Sequence, residues 1–141
     1  MQGTPRRRDA WGIMLVWALV LLGCSSNTPR PLTGTWTGTI QDSVAGRGTL
    51  MLRISQVEMQ LTGTWQMTFP DAQHNNGGTL TGTGIASDLS ITMVWSTTQA
   101  NACSFTVTAM LDNNNEDRVT GTYAPFNCPV ADSGSFDVMR Q

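Results

Sequence analysis

A five-residue pattern, Leu32-Thr33-Gly34-Thr35-Trp36, returns in this chain as Leu61-Thr62-Gly63-Thr64-Trp65, Leu80-Thr81-Gly82-Thr83-Gly84 and Val119-Thr120-Gly121-Thr122-Tyr123. Alternation puts the apolar residue, the glycine and the aromatic on one face and the β-branched threonines on the other, as a strand with one buried side requires. The copies lie at uneven intervals, so they mark strand positions in one closed domain rather than units of a fixed-period solenoid. With 141 residues, 40% of them hydrophobic, the chain is long enough for a single core.

The N-terminus has a different composition. Arg6-Arg7-Arg8 precedes an apolar run from Ala10 to Leu22, the two parts of an export signal. That run falls well short of the ~20 residues a membrane-spanning helix needs. It ends in Leu21-Leu22-Gly23-Cys24, which resembles the lipobox of bacterial lipoprotein precursors. The resemblance implies a signal peptide at 1–23, diacylglycerol on the Cys24 thiol, cleavage after Gly23 and acylation of the new amino terminus. Each buried CH₂ of such chains adds ~0.8 kcal/mol to membrane attachment. Ser25 follows the cysteine, where an Asp would favour inner-membrane retention in lipoproteins of the enteric type. The expected location is therefore the outer membrane of a bacterial cell envelope. Residues 24–31 form a polar, proline-bearing lipidated tether, and the folded domain is expected at 32–141.

Within that domain, eight strands are expected near Thr33–Gln41, Thr49–Gln56, Thr62–Phe69, Thr79–Ala86, Leu89–Thr97, Cys103–Leu111, Arg118–Tyr123 and Gly134–Arg140. Apolar residues alternate along them, as in Leu50/Leu52/Ile54, Leu89/Ile91/Met93/Trp95 and Phe105/Val107/Ala109/Leu111. The opposite faces carry Thr, Ser, Gln and Arg53, too polar for the lipid-facing band of a transmembrane barrel. No stretch has a helical period, so crossover connections for a parallel sheet are missing. The fold class is all-β: an eight-stranded antiparallel up-and-down meander, closed as a small barrel or stacked as a two-sheet sandwich. Closure removes the exposed edges, and glycines on the inward face at Gly34, Gly38, Gly63, Gly82, Gly84 and Gly121 give a tightly coiled barrel room beside its large residues, so the barrel is expected.

With Cys24 acylated, Cys103 and Cys128 are left as an even pair, which in an exported protein reads as a disulfide. The meander supports it: Cys103 opens the sixth strand and Cys128 lies just past the seventh, at the same end of an antiparallel pair. Charge narrows the partners. The chain has no Lys, and beyond the signal region five arginines face nine acids, so there is no basic patch for nucleic acid.

Leu32-Thr-Gly-Thr-Trp36 near the mature start resembles the first strand of the avidin and streptavidin family, and more loosely that of lipocalins. Val119-Thr-Gly-Thr-Tyr123, Ile91-Thr-Met-Val-Trp95 and Gly134-Ser-Phe136 resemble later strands. What this implies is a closed barrel with a ligand site at its mouth, Trp95 matching a ring-lining tryptophan. The family's biotin contacts do not carry over. Thr37-Gly38-Thr39 stands where the family has a polar Asn, and Gly134 stands in place of an Asp before the final Ser135-Phe136.

In an up-and-down barrel the odd-numbered connections share one rim, facing away from the tether. A small apolar ligand would there meet Trp36, Trp65, Phe69, Trp95 and Phe105 from the interior and His74, Asn75, Asn101, Phe126 and Asn127 from the rim. Eight strands, however, leave a space that side chains alone can fill, so the same aromatics also fit a packed structural or protein-contact barrel. Catalysis is not expected. His74 sits in the polar turn Asp71–Gly78 without a nucleophile or second carboxylate beside it in sequence. Asp112-Asn-Asn-Asn-Glu-Asp117 has oxygens suited to a hard cation, but it lacks the spacing of an EF-hand loop and reads as an acidic turn. Neither a cofactor nor a metal is expected.

Overall fold

The computed structural model describes residues 31–84, 89–126, 128 and 132–141, so Cys24 and the lipobox lie outside the described residues. Eight strands follow in order: β1 (Gly34–Asp42), β2 (Gly46–Val57), β3 (Gln60–Thr68), β4 (Asn76–Gly84), β5 (Ser90–Thr97), β6 (Ser104–Asp112), β7 (Asn115–Phe126) and β8 (Gly134–Arg140). Each pairs antiparallel with the next, and β8 returns to β1, closing the barrel. The sandwich alternative is thereby set aside.

Alternation decides what lies inside. Trp36 and Ile40 of β1, Leu50 and Leu52 of β2, Trp65 and Met67 of β3, Met93 and Trp95 of β5, Phe105 and Val107 of β6, Tyr123 of β7 and Phe136 and Val138 of β8 are all buried. Threonines point outward and pair across strands, as in Thr83 with Thr92, Thr92 with Thr108 and Thr108 with Thr122. β-branched pairs of this kind stabilise a pleated surface.

Several strands run longer than the sequence pattern predicts, and in β2 and β4 the added residues include glycines. Gly77-Gly78 reads as part of a turn, yet Gly78 pairs with Trp65 on one side and Thr97 on the other. A Cβ at Gly78 would lie 1.9 Å from the Ser96 carbonyl oxygen, so the residue is a strand position too tightly coiled for a side chain. The acidic turn is also shorter than expected: Asn115 already pairs with Asp112, and a register shift at Leu111/Asp112 absorbs the mismatch. Of the expected fourth strand, Ala86 lies outside the described residues.

The two rims differ. Tight turns join β2 to β3 and β6 to β7 at the rim where the chain arrives from Pro31, and there the Leu32 amide donates to Gln56 Oε1 at 2.7 Å. The opposite rim carries the β3–β4, β5–β6 and β7–β8 connections, all longer than those tight turns, the first with a 3-10 turn at Ala72–His74.

Candidate binding site at the loop-bearing mouth

Aromatic rings from neighbouring strands form one packed group in the barrel. Trp65 stacks on Trp95 with centroids 5.4 Å apart, Trp95 meets Tyr123 at 5.9 Å and Phe136 at 5.4 Å, and Phe105 stands edge-on to Trp65 and Tyr123. Such contacts add to the burial of the rings themselves. Trp95 is 0% exposed, Phe105 1% and Trp65 2%, so these positions face other side chains rather than an open lumen.

Their polar edges are not treated alike. Trp36 Nε1 donates to the Leu32 carbonyl at 2.8 Å, and Trp65 Nε1 donates to the Thr79 and Ser96 carbonyls at 3.0 and 3.3 Å. Trp95 Nε1 is fully buried and has no acceptor among the described residues. A buried donor left unpaired costs about 1–3 kcal/mol.

The other expected site residues divide by position. Phe69, just past β3, is buried and lies against Gly48. His74 closes the 3-10 turn that Asp71 caps, with Nε2 at 3.9 Å from Asp71 Oδ2 and both side chains largely exposed. Asn75 Oδ1 accepts from the Phe69 amide at 2.7 Å, fixing this connection to the end of β3. Asn101 is exposed in the β5–β6 turn at φ +62°, and Phe126 ends β7, partly buried and paired with Ser104. Asn127 lies outside the described residues. Trp36 is apart from this group, at the other end of the barrel beneath Arg140. Cys103 and Cys128 are joined as a disulfide with their Cα atoms 5.3 Å apart, tying the start of β6 to the chain beyond β7 on the mouth side.

The structure adds a constellation that the sequence reading lacked. Asp42, at the end of β1, is 4% exposed and accepts from the amides of Val44 and Ala45 at 2.8 and 2.7 Å and from the Tyr123 hydroxyl. Burial would raise its pKa, but hydrogen bonds from Asp132, Tyr123 and the two amides outweigh that and hold it below the ordinary carboxylate value. Asp132 moves the other way. Burial, together with the bond to Asp42 and the charge there, pushes it up to about 7, while His74 draws it down. The two carboxyls are shifted in opposite directions, as neighbouring carboxyls that contend for one proton are, and burial with the Asp42 bond raises the Tyr123 hydroxyl as well. A signal for two of these residues was present. Continuing the alternation Trp36/Gly38/Ile40 by one step puts Asp42 inside, and Val119/Gly121 does the same for Tyr123. Asp132 lies in a connection, where no period applies.

At the tight-turn rim the carboxylates are occupied differently. Asp112 Oδ1 accepts from the Asn114 amide, Asp117 Oδ1 from Arg140 Nε, and Arg118 forks onto Asp137, lowering that carboxyl through hydrogen bonding and charge.

Fold and interior together define a small antiparallel β-barrel with a packed aromatic interior and a loop-bearing mouth. No protein-family model matches the chain, and no curated protein sequence does. Solved structures do match. The chain is similar to EF1p2_mFAP2b bound to DFHBI, with a TM-score of 0.67 and 13% identity over 82% of this chain and 98% of that one. It is also similar to the redesigned β-barrel mFAP1 bound to DFHBI, at TM-score 0.64 and 14% identity, covering 77% of this chain and 94% of that one. A further redesigned β-barrel, b11L5F_LGL, gives TM-score 0.62 and 14% identity over 78% of this chain and 91% of that one. At such identities the likeness concerns the fold.

Proposed function

We propose that this protein is a non-catalytic binding barrel that takes a small, flat, mostly apolar molecule at its loop-bearing mouth. It works in a bacterial cell envelope, held there by lipid on Cys24. The observation that carries the binding reading is the Trp95 indole N–H, buried and without an acceptor among the described residues, while the Trp36 and Trp65 indoles have theirs. An acceptor on a planar ligand that parts the rings of Trp65, Trp95, Phe105 and Tyr123 would satisfy it, exchanging ring–ring contacts for ring–ligand ones. Two barrels of this fold hold a small molecule, DFHBI, which supports the same use of the architecture here. Support for the anchor is confined to the sequence: the lipobox Leu21-Leu22-Gly23-Cys24 behind Arg6-Arg7-Arg8. Titration of planar carbonyl-bearing aromatic compounds tests the binding reading. A binder quenches tryptophan emission saturably and raises the melting temperature by mass action; a panel that leaves both unmoved contradicts it.

A second reading, a structural or protein-contact barrel, is favoured by the near-zero exposure of the interior aromatics. Its contact region would be the outer wall, where a depression of about 620 Å³ lies among Thr92, Thr108, Met110, Thr120 and Thr122. Labelled-palmitate incorporation that disappears in Cys24→Ala tests the anchor under either reading.

A further inference from the structure

The barrel closes where β8 meets β1, and at the mouth this seam is held by more than its ladder. The Ser43 amide, in the β1–β2 turn, donates to the Ser133 carbonyl at 2.9 Å, and the Ser133 amide donates to Ser43 Oγ at 3.1 Å. Asp132, the preceding residue, sets its carboxyl against Asp42, whose other bonds shape the same turn. Gly134 leaves no slack on the other side, since a Cβ there would lie 2.2 Å from the Gln41 carbonyl and 2.5 Å from the Tyr123 hydroxyl oxygen. Any movement of this stretch is therefore felt at residues 132 and 133.

We propose that Asp42 and Asp132 form a proton-operated latch on the mouth: their shared proton joins the β1–β2 turn to the chain entering β8, and its loss drives the two carboxylates apart. The groups that face the pair are Tyr123 from β7, which donates to Asp42, and His74 from the β3–β4 connection, whose charge acts on Asp132. Arg47 of β2 is exposed and lies opposite Gln41, the outward-facing neighbour of Asp42. With the proton present, one negative charge is spread over a hydrogen-bonded pair. Without it, two partly desolvated like charges share one site, an arrangement carboxylates avoid. Asp132 Oδ1 is buried and lacks a hydrogen-bond partner among the described residues, so a second charge there has no donor to receive it. Asp132 holds its proton up to about pH 7, which puts the release within the range of an external medium. The latch deepens the binding reading, because it governs access to the mouth where that reading puts the ligand.

The test needs no ligand, so its failure and that of the binding reading are separate. Amide hydrogen exchange of the full barrel, corrected for intrinsic pH dependence, is followed at Ser43, Val44, Ala45 and Ser133 from pH 5 to 9. Protection in the native sequence should fall about tenfold for each pH unit from 5 towards 7, as one linked proton requires, and level off above 7, where the closed pair has itself lost the proton. In Asp132→Asn, whose amide donates to Asp42 at every pH, protection should stay high and flat. Asp42→Asn should lose it at all pH values, while strand amides such as Val107 report that the barrel is intact. A flat profile in the native protein, or an Asp132→Asn profile that still bends near 7, would overturn the latch.

Discussion

Arg140 lies across the Trp36 indole, with its guanidinium carbon 4.3 Å from the ring centroid. The same side chain donates to the Thr33 carbonyl at 2.6 Å, to the Pro31 carbonyl at 2.9 Å and to Asp117 at 2.9 Å. One residue of the last strand thus closes the rim where the chain enters the first. Arg118 forms an equally tidy fork with Asp137, but its side chain is 43% exposed against 15% for Arg140. Solvent screening decides between them.

Arg140→Ala should accordingly cost about 1–2 kcal/mol, chiefly through the cation–π contact over buried Trp36, since water can replace the donor at the exposed Thr33 and Pro31 carbonyls. Arg118→Ala should cost under about 1 kcal/mol. Urea unfolding of the two variants side by side checks the ordering, and Arg140→Lys should recover less than half the loss because it lacks the planar fork.

Glycine positions separate in the same way. A Cβ at Gly63 would sit 1.9 Å from the Arg53 carbonyl oxygen, whereas at Gly84 its nearest neighbours are the Leu32 and Leu61 side-chain ends at 3.1 and 3.4 Å. Backbone cannot yield as leucine methyls can. Gly63→Ala should lower stability by about 3 kcal/mol, and Gly84→Ala should stay within about 1 kcal/mol of the native protein by thermal unfolding.

This contrast also explains what the sequence reading could and could not reach. Alternation of Trp36, Leu52, Trp65, Trp95 and Phe105 against threonine gave the strands, their inward faces and the closed meander, because a period of two leaves no other way to bury those rings. Strand ends are least legible where Gly, Asn or Asp stand, since residues that favour turns also serve strands that coil tightly, as Gly77-Gly78 and Asn115 do here. The pairing of Cys103 with Cys128 followed from topology. Asp132 could not be placed beside Asp42, because the two are brought together by ring closure of the barrel rather than by any local pattern.

The disulfide spans a sequence separation of 25. Closing a loop of that size removes unfolded-state entropy worth about 3–4 kcal/mol in the chain-entropy model. Cys103→Ser with Cys128→Ser should fold, with its unfolding free energy lowered by that amount and no further change when reductant is added.

Stability should depend on pH through the Asp42–Asp132 pair in both directions. Asp132 is raised, so what it contributes is complete below the ordinary carboxylate value of 3.8 and is lost as pH passes about 7. Asp42 is lowered, so its contribution is present above that value and disappears in acid. The urea midpoint should therefore peak between the two. Asp132→Asn should remove the alkaline decline and keep the acid one, and Tyr123→Phe should cost about 1.5–3 kcal/mol by taking a donor from a buried carboxylate.

The binding account is tested most directly at one nitrogen. Indole-¹⁵N spectra of the barrel should contain three resonances from Trp36, Trp65 and Trp95, with the one missing in Trp95→Phe assigned to Trp95. Titration with planar carbonyl-bearing aromatic compounds should move that resonance downfield, saturably, while the Trp36 indole, bonded to the Leu32 carbonyl at the other end of the barrel, holds its position. A Trp95 resonance that stays in place across the whole panel would contradict the account.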